Sequence, residues 1–213
     1  MTCRRGFVVG LASGLIAAPA VLTSQPQDGF GLNDWRVGDD TRLGERWRNT
    51  EGATGVFEVP YDLRTREVRV PDEIRPGQIH VMARYNLVLW TLGNGRAIRY
   101  AAAMGEDGRQ FLGEATVGRK EEWPSWTPTA NMIRREPEYA KFAGGVAGGL
   151  TNPLGARALY LYRGGRDTRY RIHGTSQPWT IGQNVSSGCV RLFNHAILDL
   201  YERAPISTKV MAY

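Results

Sequence analysis

His173 and Cys189 are the two residues of this chain whose types and spacing suit covalent chemistry, a base and a thiol joined by one short loop. The base opens His173-Gly174-Thr175, and the thiol ends the run Ser186-Ser187-Gly188-Cys189 that leads into Val190-Arg191. Cysteine attacks only as thiolate, so it needs a neighbour that takes or balances its proton. His173 is the candidate. Gly188 lets the backbone come close to a substrate and turn its N–H groups toward a developing oxyanion. This combination points to a cysteine acyltransferase or hydrolase.

The remaining polar residues around the pair divide into candidates and scaffolding. A histidine base needs an acceptor on its second nitrogen, and both Asp167 and the Gly174 carbonyl are within reach in sequence. Arg191 suits the anchoring of a substrate carboxylate or the clamping of the active-site loop. Ser186 and Ser187 can hydrogen-bond substrate, although serines in turns more often serve the backbone. His80 sits in a strand pattern and reads as structural. His195 follows Asn194, an expected helix N-cap, and is expected to face solvent.

Positioning these groups requires a β-rich frame. Ile79–Met82, Leu87–Trp90, Ala97–Tyr100 and Ala115–Val117 read as strands, with Gly93-Asn94-Gly95 as a turn. Ala158–Tyr162 and Arg169–Ile172 alternate in strand fashion about Arg163-Gly164-Gly165, which sets His173 at a strand end. A helix is expected over His195–Arg203, with Ile197, Leu198 and Tyr201 on its apolar face, and Ile206–Ala212 reads as a closing strand. The stretch 119–153 is a long excursion carrying Trp123, Trp126 and Gly144–Gly149. Excursions of that length in a compact domain are more often functional than incidental, so a substrate-facing lid is expected, with Trp126 and loop residue Trp179 as candidate substrate contacts.

Of the 213 residues, 42% are hydrophobic and 10% aromatic, the profile of a globular chain. The 26 glycines stand at separate turns and favour β structure. Net charge is +6, but the basic residues are interleaved with acids, so a solvated surface is expected and a nucleic-acid partner is not. No zinc-type cysteine spacing or Gly-Lys-Ser/Thr phosphate loop is present. Arg4-Arg5, an apolar stretch Phe7–Ala18 and Ala18-Pro19-Ala20 read as an export signal over residues 1–20, of twin-arginine type. Its removal would take Cys3 with it and leave Cys189 as the single thiol of an exported protein that no longer spans a membrane. Residues 21–77 read as an arm or linker, with short strands at Val56–Val59 and Glu67–Val70.

The segment His173-Gly174-Thr175 … Ser186-Ser187-Gly188-Cys189-Val190-Arg191-Leu192-Phe193-Asn194 resembles the signature of the L,D-transpeptidase family, His-Gly-Thr followed by Ser-x-Gly-Cys-(Val/Ile)-Arg-(Leu/Met)-x-Asn. Asn152-Pro153-Leu154-Gly155, Pro178-Trp179-Thr180-Ile181-Gly182 and Trp126-Thr127-Pro128-Thr129 extend the likeness, which covers residues 78–213. Many members carry His where Ser187 stands, and Ser there is also common. The resemblance implies a mainly β catalytic domain of β-sandwich type with one or two short helices. It implies a peptidoglycan enzyme of the periplasm or cell wall that needs no metal or organic cofactor. Cys189 would attack the bond between diaminopimelate and D-alanine of a tetrapeptide stem and pass the acyl group to an amine, that of a second stem or of an outer-membrane protein. His173 would shuttle the proton, oriented by Gly174, with Ser187 and the Gly188 and Cys189 N–H groups lining the oxyanion site. A hydrolytic L,D-carboxypeptidase or endopeptidase and a non-catalytic wall-binding protein are the alternatives.

Overall fold

The computed structural model describes residues 37–38, 59–106, 110–186 and 188–213, all within the unit Leu32–Tyr213. The expected export signal with Cys3, the strand residues 56–58 and Ser187 lie outside the described residues.

The strands follow the apolar alternation of the sequence. They are β1 Val37–Gly38, β2 Arg66–Arg69, β3 Ile79–Met82, β4 Leu87–Gly93, β5 Arg96–Gly105, β6 Gly113–Glu122, β7 Arg157–Arg163, β8 Arg166–His173, β9 Asn184–Ser186, β10 Val190–Leu192 and β11 Lys209–Ala212. Between β4 and β5 the chain reverses on Asn94 (φ +53°) and Gly95 (φ +65°). Two positive-φ residues match the right-handed twist of the hairpin they join. The short helices are α1, Ala130–Arg135, and α2, Asn194–Arg203. The Thr129 hydroxyl caps α1 by accepting the Met132 N–H at 3.2 Å, and Pro137 begins a separate 3-10 turn beyond its end.

The expected mainly β fold forms, built on one closed, barrel-like sheet. The described strands make one sheet in the order β1-β2-β5-β10-β8-β7-β6-β11-β3-β4, and β4 pairs back onto β5 to close it. The length of β5 is the reason. Its first half pairs with β4 on one edge and β2 on the other, while its second half pairs with β10 and β9. The fold is therefore mainly β, barrel-like, with few helices.

Ile79, Val88, Tyr100, Leu159, Ile172 and Leu192 fill the interior, and Ile197 and Leu200 of α2 complete it. The Tyr100 hydroxyl donates to Asp199 at 2.6 Å, and Arg203 donates to the same carboxylate at 2.9 Å, so α2 is tied to β5 by a buried polar contact. β2 lies within the stretch read as an arm. It brings Val68 into a smaller cluster with Met82, Leu87, Leu89 and Ala97.

Candidate active site

The parallel pairing of β8 and β10 sets Val190 beside Ile172 and Arg191 beside His173. Val190, Leu192 and Ile172 point into the core. By alternation, Cys189, Arg191, Arg171 and His173 share the opposite face. Cys189 falls opposite Arg171, with His173 two residues further along the neighbouring strand, about 8 Å away between Cα atoms on ideal strand spacings.

His173 is buried, and its Nδ1 lies 2.6 Å from the Gly174 carbonyl oxygen. A carbonyl can only accept, so the hydrogen sits on Nδ1 and Nε2 is the basic position. Of the two acceptors expected, the Gly174 carbonyl is the one in contact with the His173 ring; Asp167 instead binds Arg171 at 2.7 and 2.8 Å. Burial lowers the His173 pKa to about 3, helped by the cations Arg191 and Arg171, while the Gly174 and Leu154 backbone groups oppose the shift. The imidazole is thus neutral near pH 7.

Cys189 is a free, partly exposed thiol whose Sγ donates to the Arg169 carbonyl at 3.9 Å. Burial raises its pKa, and the Arg171 backbone N–H with the Arg171 and Arg191 side chains work against that rise. The resting pair is therefore a neutral thiol and a neutral imidazole.

Depression of the His173 pKa has a stability consequence. The unfolded chain binds the proton near pH 6.5 and the folded one near 3, so stability is fully present above about 6.5 and is lost as pH falls toward 3. In thermal melts between pH 7 and 4, His173→Gln is expected to show a shallower loss of Tm on acidification than the wild type.

The loop before the nucleophile is braced from within. Ser186 is buried; its hydroxyl donates to the Cys189 carbonyl at 2.5 Å and accepts the Gly188 N–H at 3.2 Å. The Ser186 hydroxyl thus braces the loop backbone, and the Gly188 N–H expected at the oxyanion is engaged by it. Gly188 has φ +131°, where an L side chain is strained, and a Cβ built on Gly105 of β5 would lie 2.7 Å from the Gly188 Cα. Gly105→Ala must push this loop. Thiol alkylation and turnover are both expected to fall by about tenfold or more with the fold retained, since small misplacements of a nucleophile are costly.

Asn194 and His195 correct two further expectations. Asn194 is the first residue of α2, and Phe193 is the cap position. The Asn194 side chain turns inward: Oδ1 accepts from Ala156 N at 3.0 Å and Thr175 N at 3.2 Å, and Nδ2 donates to Thr175 O at 3.0 Å. A short polar side chain that can both donate and accept is more useful joining two loops than capping one helix end. His195 is buried and stacks on Phe193 at 5.4 Å, because the helix start is packed against the barrel rather than exposed.

The excursion reaches this face. Trp126 packs edge-on against Tyr139 at 5.6 Å and Phe142 at 6.0 Å, and its backbone bridges to Val146. Its half-buried ring ties the start of the excursion to its 3-10 turn. Tyr139 and Glu136 of the excursion act electrostatically on Arg191. Buried Asn152 anchors the base of the excursion through the carbonyls of Val146 and Ala147, both at 3.0 Å. Trp179 is 52% exposed on the loop between His173 and Cys189. Sequence reasoning passed over Arg171, although its position two residues before His173 in an alternating strand places it on the same face. No group of three or more His, Cys, Asp or Glu is placed to hold a metal among the described residues, and no described helix is long and apolar enough to cross a membrane.

Comparison with known proteins bears on this geometry. The family model YkuD, described as the L,D-transpeptidase catalytic domain, matches residues 77–211. The chain is 34% identical over 151 residues to the probable L,D-transpeptidase ErfK/SrfK of Escherichia coli K12, covering 68% of this chain and 46% of that protein. It is 36% identical over 162 residues to the probable L,D-transpeptidase YbiS of the same organism, covering 73% and 48%. The chain thus spans about half the length of these curated relatives. Among solved structures, it is similar to a Brucella melitensis protein described as a probable carnitine operon oxidoreductase caia. The TM-score is 0.50 and the identity 42%, over 69% of this chain and 91% of that one.

Proposed function

The chain belongs to the L,D-transpeptidase catalytic-domain family, and from that premise we propose that Cys189 and His173 carry out acyl transfer on peptidoglycan stem peptides. The substrate is a tetrapeptide stem, cut between diaminopimelate and the terminal D-alanine. As Cys189 Sγ bonds to the carbonyl carbon, its proton passes to His173 Nε2. The C–N bond then breaks, and His173 returns the proton to the departing D-alanine amine. A thioester remains on Cys189. An acceptor amine attacks it, loses a proton to His173, and releases the thiolate, which is reprotonated.

The observation that carries this reading is the shared face of β8 and β10, on which a neutral imidazole and a thiol stand two residues apart across neighbouring strands. Because the ring is neutral, it accepts the thiol proton during attack rather than standing as an imidazolium beforehand. The oxyanion falls to the Cys189 N–H, since the Gly188 N–H can join only by leaving Ser186 Oγ. Arg191 takes a substrate carboxylate, and exposed Trp179 borders the approach. The exported, periplasmic location belongs to the same proposal, as does the division into export signal (1–20), arm (21–77) and catalytic domain (78–213).

Products from tetrapeptide muropeptides test the acceptor. Cross-linked dimers formed by wild type but not by Cys189→Ala support transpeptidation. Tripeptide without dimer supports the hydrolytic L,D-carboxypeptidase alternative. Attachment of stem peptides to an outer-membrane protein, when one is supplied, identifies a protein acceptor.

A further inference from the structure

Arg171 is held on two sides, and its position on β8 lies directly across from Cys189. Its guanidinium grips Asp167 through two nitrogens, at 2.7 and 2.8 Å, and lies 4.2 Å from the centre of the Tyr160 ring. The Tyr160 ring also carries Arg119, at 3.5 Å, and its hydroxyl donates to Glu121 at 2.7 Å. Asp167 also accepts the Arg169 N–H at 2.7 Å. That bond fixes a bulge in β8 where Arg169 adopts φ +66°, and the Arg169 carbonyl is the group that receives the Cys189 thiol at 3.9 Å. β7 thus supplies the stacking surface, β8 the cation and its counter-ion, and β10 the thiol.

We propose that Arg171, clamped between Asp167 and the Tyr160 ring, is a positioning residue that places a fixed positive charge against the Cys189 thiolate as it forms. The inference rests on Cys189 being the nucleophile of the proposed reaction. A guanidinium stays charged at every working pH, which suits a site whose histidine is neutral. The groups that act on Cys189 include the charged Arg171 and Asp167 on β8 and Arg191 on β10, with the neutral His173 on the same face; Glu136 and Tyr139 of the excursion act on Arg191. The two cations favour the thiolate, while Asp167 opposes it.

The test is the pH profile of Cys189 alkylation by iodoacetamide in the full chain, which needs no stem peptide. Arg171→Gln moves the midpoint up by roughly one pH unit, the size expected when a neighbouring opposite charge is removed. Arg171→Lys keeps most of the wild-type midpoint. Asp167→Asn moves it down, because the amide still accepts the Arg169 N–H while the opposing charge is gone. Opposite-signed shifts are not produced by general loosening. An unmoved midpoint in Arg171→Gln, or an equal rise in Arg171→Lys, overturns the proposal. If Arg171→Gln does not fold, Arg171→Met decides it, a raised midpoint supporting the assignment and an unmoved midpoint removing it. Muropeptide turnover is measured separately. Shifted midpoints in a wild type that never acts on stem peptides would leave Arg171's role standing and remove the substrate assignment.

Discussion

Replacing His173 with Ala lowers turnover of a tetrapeptide stem by about 10³-fold, the loss expected when a general base is removed. The fold is retained, because β8 and β10 remain paired and the contacts given up are local ones, to the adjacent Gly174 carbonyl and to the Leu154 backbone. The same variant leaves the pH midpoint of Cys189 alkylation close to wild type. A histidine that is neutral at rest contributes no charge to the thiolate, so its loss removes proton transfer and not electrostatic support. Had the pair been a thiolate and an imidazolium, the midpoint would rise along with the loss of turnover. Steady-state kinetics and an alkylation profile on one preparation distinguish the two arrangements.

Asn194→Ala carries the largest expected cost in stability. One side chain satisfies the N–H groups of Ala156 and Thr175 and the carbonyl of Thr175, all in a dry part of the molecule. Each partner left unmet costs about 1–3 kcal/mol, so the variant loses at least about 3 kcal/mol. For a domain of this size that is a fall in Tm of about 6–12 °C. The surroundings cannot relax inward to compensate, because Asn194 Oδ1 already packs against both Gly155 and Gly174, where an added Cβ would collide with it. The same hydrogen bonds fix His173-Gly174-Thr175, so kcat is expected to fall about tenfold with a smaller change in KM. Differential scanning calorimetry and kinetics read the two effects separately.

These outcomes bear on what the sequence made legible. Strand positions followed from period-two alternation and from turns such as Asn94-Gly95, which are local signals. Closure of the sheet was not legible, because only β4 meets β5 locally, while the rest depends on β10 reaching β5 and β11 reaching β3 from far away in the chain. Cys189 and His173 stood out because few residue pairs have their chemistry. Asn194 was misread as a cap because its local context, just ahead of a helix, says nothing of the loop at Thr175 that lies against it. His195 was misread for the same reason: its burial is decided by the barrel wall, not by its neighbours in sequence. The Ser186 hydroxyl turns back to the loop, the commoner habit of a serine in a turn. Arg171 carried a readable signal, its phase with His173, but its importance comes from Tyr160 on another strand.

Intact-protein mass spectrometry of an acid-quenched reaction with a tetrapeptide muropeptide tests the central claim most directly. Wild-type protein is expected to gain the mass of the substrate less D-alanine, with the adduct on Cys189 and lost on treatment with hydroxylamine, as a thioester is. Cys189→Ala is expected to gain nothing. Release of D-alanine by wild type with no adduct at any quench time, or an equal adduct on Cys189→Ala, would contradict acyl transfer through this thiol.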